Sequence, residues 1–213
     1  MTHIQHHAHD DILMGYATGT LPQAFDLVVA SHVSLSDDAR ARLESLEAIG
    51  GAVLEDIDMV DLAEDSLSQT LAKIGGEAPI EAPQWKVGVF PSPLQQVVGG
   101  DEEAVRWRNV GRGVKQCILH SDEDGTVRLL SIPAGRSMPA HSHNGTEMTL
   151  VLKGAFRDED GVFARGDIEV ADANVDHTPV AEPGEDCICL VATDARLKFR
   201  GLLPRIAQPF LGI

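Results

Sequence analysis

The sequence is poor in cysteine, in long apolar runs and, over its first 80 residues, in basic side chains. Three cysteines occur among 213 residues, at Cys117, Cys187 and Cys189. An odd number, with two of them at positions i and i+2, fits no disulfide framework, so we expect a reducing, cytoplasmic location. No run of 18 apolar residues occurs, and the N-terminus lacks a basic segment followed by an apolar one. We therefore expect neither a transmembrane helix nor a signal peptide.

The shortage of basic residues makes the first part of the chain strongly acidic. Residues 1–80 contain 14 Asp or Glu and 3 Lys or Arg, a balance of −11, whereas residues 81–213 have a balance of −5. An acidic surface repels nucleic acids and membranes and attracts basic proteins. It also increases solubility, and the charge alone leaves both explanations open.

Apolar spacing in residues 1–75 is typical of helices. It predicts helices at residues 7–17, 20–32, 36–49 and, more weakly, 62–74. Gly19 is expected to end the first helix, Ser36 to cap the third, and Gly50-Gly51 to end the third. Glycine and proline then interrupt the pattern, so residues 76–93 are predicted to be a linker.

From residue 94 to residue 213 the pattern is that of short strands. Runs rich in β-branched and apolar residues occupy positions 115–119, 127–132, 148–156, 168–170 and 188–192. Several short strands at close spacing favour an antiparallel barrel or sandwich. The sequence thus predicts an α + β protein in two domains, a small N-terminal helical bundle and a C-terminal all-β domain.

The most informative motif lies between Gly135 and Gly154 and reads G-x5-H-x-H-x3-E-x6-G. His141 and His143 are two residues apart, so on a strand they project from the same face. A turn after His143 returns Glu147 to that face. Imidazole and carboxylate groups that converge on one point are typical ligands of a divalent transition metal.

This motif resembles the first signature of the cupin superfamily at every defined position. Gly166 and His177 occupy two places of the second signature, although Asp172, Asn174 and Ala181 stand where proline, glycine and asparagine are usual. The resemblance implies a double-stranded β-helix and four metal ligands: His141, His143, Glu147 and His177. Such ligands suit zinc, iron, manganese, nickel or copper, and their identities do not choose among these metals.

Candidates for catalysis are few. Arg136, Arg165 and Glu169 could bind a substrate or exchange protons, but each is equally well explained as a solvated turn or strand residue. Cys187 and Cys189 alternate with apolar residues, which predicts packing in a buried strand. If they face the barrel interior, they are candidate redox residues near the metal. The sequence specifies no catalytic residue, and a non-enzymatic role is favoured.

Over nearly its whole length the chain resembles the ChrR-type zinc anti-sigma factors. The matching segments include Tyr16–Leu21, Leu27–His32, Gly154–Glu159, His177–Glu182 and Asp186–Leu190. This resemblance implies a cytoplasmic regulator whose N-terminal helices sequester an extracytoplasmic-function sigma factor. It also implies a zinc-bearing cupin domain that senses oxidative stress such as singlet oxygen, without direct contact with nucleic acid or membrane.

The family's N-terminal zinc motif, H-x3-C-x2-C with an earlier histidine, is incomplete in this chain. His7 and His32 occupy the histidine places, but Ser36 and Ala39 occupy the cysteine places. Two histidines cannot form a closed tetrahedral site, so we expect at most a vestigial site there and one zinc per chain, in the cupin domain. A makeshift site that includes nearby residues is an alternative: His3, His6, His9 and Asp10.

Two other functions compete with the anti-sigma hypothesis. One is a small metal-dependent cupin enzyme, such as a dioxygenase or isomerase, in which the helices serve dimerisation or packing. The other is a cupin that binds a metal or a ligand without catalysis.

Overall fold

The computed structural model of the protein describes residues 4–74, 87–195 and 198–199. The described helices are α1 (Asp10–Ala17), α2 (Gln23–Leu35), α3 (Asp37–Glu55), α4 (Ser66–Ile74) and α5 (Ser92–Val98). The described strands are β1 (Arg108–Gly111), β2 (Val114–Ser121), β3 (Thr126–Ile132), β4 (His141–Ser142), β5 (Glu147–Lys153), β6 (Ala155–Arg157), β7 (Val162–Ala164), β8 (Ile168–Ala171), β9 (Asp176–His177), β10 (Val180–Ala181), β11 (Cys187–Thr193) and β12 (Lys198–Phe199).

The strands form an antiparallel sandwich, which confirms the predicted fold class. Six strands pair in the order β1-β2-β3-β11-β5-β8, and two smaller sheets have the orders β10-β6-β7 and β12-β4-β9. All five predicted strand regions are confirmed. The predicted strand at residues 148–156 is divided at Gly154, whose φ of 68° is unfavourable for other residues.

Two of the helix ends predicted from capping residues are confirmed, and a third is wrong. The Ser36 hydroxyl accepts a hydrogen bond from the Ala39 N–H at 3.1 Å, as predicted for an N-cap. Gly19 follows α1 with a φ of 65°, as expected for a helix end. The predicted end of α3 at Gly50-Gly51 is wrong, because the helix continues to Glu55. Glycine inside a helix costs only about 1 kcal/mol, which the helix formers on both sides offset.

The predicted linker, residues 76–93, lies largely outside the described residues. Its last two residues belong to α5, because the helix begins at Ser92 and Pro93 occupies its first turn. Proline is tolerated there, since the first-turn N–H groups have no partner within a helix. Leu94 of this helix is fully buried.

The N-terminal helices and the large sheet share one hydrophobic core. α2 packs against β3, β5 and β11, and its Phe25, Val28 and Val29 are buried in the same cluster as Leu150 and Leu190 of the sheet. Each fully buried apolar side chain contributes about 1.5–3 kcal/mol to folding. This shared core fixes the helices to the outer face of the six-stranded sheet.

A polar clamp reinforces that packing at the N-terminus. The Asp167 carboxylate accepts hydrogen bonds from the backbone N–H groups of Gln5 at 2.6 Å and His6 at 2.9 Å. The Ile168 N–H in turn donates to the His6 carbonyl at 3.1 Å. The segment before α1 is therefore bonded directly to the start of β8. Across the described ranges, no helix combines the length and apolarity needed to cross a bilayer.

Candidate metal centre

Three strands on the inner side of the sandwich bring the four predicted ligands together. His141 of β4 lies opposite His177 of β9 in the sheet register, and Glu147 begins β5. The Nε2 atom of His177 lies 3.2 Å from that of His141 and 3.3 Å from that of His143. All four side chains are buried, and one ligand atom from each lies within 4.8 Å of the others.

Neighbouring acceptors orient two of these imidazoles. The His141 Nδ1 lies 2.9 Å from the Pro139 carbonyl oxygen, and the His177 Nδ1 lies 3.0 Å from both Asp158 Oδ2 and Glu169 Oε1. A carbonyl or carboxylate oxygen can only accept, so each Nδ1 carries a proton and donates it. Both Nε2 atoms therefore face the cluster, which is the arrangement found in histidine metal ligands.

The protonation equilibria differ among the three imidazoles of the cluster. Burial lowers the pKa values of His141 and His143 to about 4, so both rings are neutral electron-pair donors at neutral pH. Burial also lowers the pKa of His177, but hydrogen bonds to Glu169 and Asp158 outweigh it and raise that pKa to about 9. Metal-free His177 consequently carries a positive charge among two neutral imidazoles, and a divalent ion would displace its Nε2 proton.

The residues present fit a transition metal. Three imidazole nitrogens and a carboxylate form a common donor set for such ions. Burial raises the pKa of Glu147 to about 7, and the buried Nδ1 of His143 has no hydrogen-bond partner among the described residues. Leaving these polar groups buried together is unfavourable, and coordination of an ion would offset that cost.

Asp158 is a part of the site that sequence reasoning missed. Its wholly buried carboxylate contacts His177 together with Glu169, which the sequence suggested only as an acid–base candidate. Burial raises the pKa of Asp158, but hydrogen bonds from Glu169 and His177 outweigh it and hold that pKa below its usual value. Burial raises the pKa of Glu169 to about 7. The two carboxyl groups thus orient His177 from behind.

The two other polar candidates lie away from the cluster. The Arg165 guanidinium donates to the Val89 carbonyl at 2.6 Å and to the Leu152 carbonyl, so it joins the segment before α5 to the sandwich. Arg136 is exposed. Neither arrangement favours the substrate-binding role that the sequence left open.

The two cysteines of β11 are buried beside each other, as the strand pattern predicted. Their Sγ atoms lie 3.5 Å apart, and Cys189 faces the interior near Glu147 and Glu169. A hydrogen bond with Cys187, burial and the nearby carboxylates raise the pKa of Cys189 well above its usual value. Cys187 and Cys189 are not joined in a disulfide, and a redox role for them stays a prediction.

Among the described residues, His7 and His32 do not belong to a comparable cluster. His32 is completely buried, its Nδ1 donates to the Gly166 carbonyl at 3.0 Å, and its Nε2 accepts from the Ala8 N–H at 3.3 Å. Burial lowers the pKa of His32 to about 4, so the ring is neutral. Both ring nitrogens are therefore already used in hydrogen bonds.

The other positions of the family's N-terminal zinc motif are His7, Ser36 and Ala39, and they also lack a metal-ligand arrangement. His7 Nδ1 lies 3.2 Å from the Ser36 hydroxyl, which also caps α3 by bonding the Ala39 N–H. Ala39 has no ligand atom, and no group of three or more metal-ligating side chains within the described ranges includes His7 or His32. These residues do not fit the zinc site that the family resemblance implies.

Comparisons with known proteins agree on one family. Residues 95–196 match the family model of the ChrR cupin-like domain. The chain is 49% identical over 211 residues to the anti-sigma-E factor ChrR of Cereibacter sphaeroides, and the match covers 99% of each chain. The crystal structure of Rhodobacter sphaeroides SigE in complex with the anti-sigma ChrR matches with a TM-score of 0.80 and 49% identity, over 90% of this chain and 100% of that one. The chain therefore belongs to the ChrR family of anti-sigma factors.

Proposed function

We propose that this protein is an anti-sigma factor that binds an extracytoplasmic-function sigma factor and regulates transcription by sequestering it. The main support for this proposal is the 49% identity to ChrR along essentially the whole chain. The fold also matches that of ChrR in its complex with SigE. The helices and the cupin domain both lie within that match. We propose that the protein acts in the cytoplasm.

An exposed apolar surface supports this function. It comprises ten side chains at the end of α3, in α4 and in the segment between them, each 57–98% exposed: Ile49, Val53, Leu54, Ile57, Met59, Val60, Leu62, Leu67, Leu71 and Ile74. We call it the α3–α4 surface. So many exposed large apolar side chains between residues 49 and 74 are uncommon on a monomer and favour a site of protein association there.

The charge around this surface favours a basic partner. Between positions 49 and 74 the chain has six acidic residues and one basic residue, Lys73. Sigma factors bind DNA through basic surfaces, so acidic side chains around an apolar centre would complement such a partner. The acidic charge of residues 1–80 therefore serves binding in addition to solubility.

We further propose that the cupin domain is the sensor and that it responds to oxidative stress. Asp167 bonds the segment before α1, and Glu169, two residues later, bonds the metal-cluster residue His177. A change at the metal cluster would thus reach the N-terminal segment through one short stretch of β8. This contact supports a link between sensing and release.

Zinc is the metal we propose for the cluster of His141, His143, Glu147 and His177, with one ion per chain. Zinc accepts nitrogen and oxygen ligands in a four-coordinate site and imposes no geometry through its d-electrons. Metal analysis of the purified protein tests this proposal. Iron in place of zinc, with no bound sigma factor, would favour the alternative of a metal-dependent cupin enzyme.

Binding to the sigma factor can be tested with a matched pair of variants on α4. Leu71→Glu places a charge on the α3–α4 surface, whereas Gln69→Glu places the same charge on the opposite side of the helix. The helical spacing of 100° per residue separates the two positions. We expect Leu71→Glu to weaken co-purification with the sigma factor at least tenfold and Gln69→Glu to leave it within twofold. Equal binding by both variants would contradict the assignment of this surface.

A further inference from the structure

The short loop between β4 and β5 sets the direction of two candidate metal ligands. Residues 144–146 separate His143 from Glu147, and we call these three residues the ligand loop. Acceptors hold the rings of His141 and His177 from behind, but the buried Nδ1 of His143 has no hydrogen-bond partner among the described residues. The orientation of His143 therefore depends on the backbone of the loop that follows it.

One side chain from another strand bonds this loop. The Thr146 N–H donates to the Asp194 Oδ1 at 2.8 Å, and the Asp194 N–H donates to the Thr146 carbonyl at 3.3 Å. Asp194 directly follows β11, whose last residue Thr193 pairs with Glu147. The two bonds therefore continue the pairing of β11 with β5 by one residue, with a carboxylate oxygen as one acceptor. Hydrogen bonds to a charged group are shorter and stronger than those between neutral groups.

Gly145 leaves the space that this carboxylate occupies. A Cβ atom at position 145 would lie 1.9 Å from the Asp194 Oδ1 and 3.1 Å from the Ala195 Cβ. The φ of Gly145 lies outside the left-handed region, so backbone conformation does not require glycine there. The close approach of Asp194 is thus the physical reason for a glycine at this position.

We propose that Asp194 is a positioning residue of the metal centre. Its carboxylate holds the ligand loop so that His143 and Glu147 reach the same ion. Asp194 is not among the described residues whose ligand atoms cluster within 4.8 Å of one another, so it acts through Thr146 and not by coordination. Loss of such a supporting bond typically weakens metal affinity about 10–100-fold. The proposal rests on the metal site proposed above and names a residue that organises it.

Zinc affinity of the full-length protein, measured by chelator competition, tests this role. We expect Asp194→Ala to weaken zinc binding at least about tenfold. Asp194→Asn keeps an oxygen acceptor for the Thr146 N–H and should stay within about threefold of the native protein. The control Asp124→Ala removes an exposed carboxylate from the turn between β2 and β3 and should change affinity by less than about twofold.

Two results of this titration would overturn the proposal. One is native affinity in Asp194→Ala. The other is an equal loss in Asp194→Ala and Asp194→Asn, because the carboxylate would then act by attracting the cation through its charge and not by holding the loop.

Amide hydrogen exchange of the metal-free protein gives a readout that does not involve the ion. In Asp194→Ala the Thr146 amide should exchange at least about tenfold faster than in the native protein, because it has lost its acceptor. The Leu190 amide in the middle of β11 should keep its protection, which shows that the sheet is folded. Unchanged exchange at Thr146 would contradict the proposed bond.

Gly145→Ala provides a second, independent variant. It should weaken zinc binding at least about tenfold by displacing the Asp194 carboxylate. Because both substitutions remove the same bond, adding Gly145→Ala to Asp194→Ala should weaken binding by less than about threefold further. Full multiplication of the two effects would refute the link between Gly145 and Asp194. Native protein that binds no zinc would refute the metal site and this proposal together, and none of these results depends on the sigma factor.

Discussion

Replacing Asp167 with alanine removes the clamp between the N-terminal segment and the cupin domain. The Asp167 carboxylate is 2% exposed and accepts three backbone hydrogen bonds, from Gln5 and His6 through Oδ1 and from Ala164 at 2.8 Å through Oδ2. The substitution leaves these three N–H groups without their acceptor. It therefore tests what holds the N-terminal helices in place. The residues near His32 do not fit a zinc site, so we expect hydrogen bonds to the cupin domain to hold the helices.

The expected loss follows from the two bonds that join the domains. Hydrogen bonds to a charged group contribute about 1.5–3 kcal/mol each, so losing the bonds to Gln5 and His6 lowers the free energy of unfolding by about 3–6 kcal/mol, and the lost bond from Ala164 adds to this. Such a loss is a large part of the 5–15 kcal/mol typical of a folded domain. Asp167→Asn keeps an oxygen acceptor for these bonds but loses the charge, and should cost about half as much.

Urea unfolding followed by circular dichroism measures this change in the full-length protein. Asp160→Ala is the matched control, because Asp160 is exposed and such substitutions usually change stability by less than about 0.5 kcal/mol. Hydrogen exchange should show a larger loss of protection in α1 than in β11. A stability of Asp167→Ala within 0.5 kcal/mol of the control would refute the reasoning.

Three further predictions concern the metal cluster and His32. Glu147→Ala should abolish metal binding, measured by mass spectrometry of the native protein, and leave sigma-factor binding unchanged; loss of binding would contradict the proposed division of roles. Asp158→Asn should weaken metal affinity about 10–100-fold in a chelator competition, whereas the exposed Asp160→Asn should not. Folded His32 has a pKa of about 4, below its unfolded value, so only the unfolded chain gains this proton as the pH falls from 6.5 to 4. Protonation of His32 in the unfolded chain should therefore lower the free energy of unfolding by about 3 kcal/mol over that range. The His32→Gln variant lacks this proton site, so its stability should depend less on pH by the same amount. An equal dependence on pH in the variant and the native protein would show that His32 is not the cause.

The convergence of the four candidate ligands was predictable in part, because three of them are close in sequence. His141, His143 and Glu147 lie within seven residues, and strand periodicity alone places the two histidines on one face. His177 required the second cupin motif, since its contact with His141 depends on the pairing of β4 with β9. Those strands have two residues each, too few for any periodicity to show.

The groups around the cluster could not be predicted from the sequence. Asp158 is 19 residues from His177, and Asp194 is 48 residues from Thr146. The pairing of His32 with Gly166 spans 134 residues. Each of these contacts depends on tertiary packing, for which a single sequence has no local signal. By contrast, the capping role of Ser36 is local and was predicted correctly.

The most direct test of the account is native mass spectrometry of the full-length protein co-expressed with an extracytoplasmic-function sigma factor encoded beside it. We predict a 1:1 complex that carries one zinc ion. The Glu147→Ala variant should form the same complex without metal. A protein that forms no complex, or whose complex contains a second zinc lost on mutation of His7 or His32, would contradict these predictions.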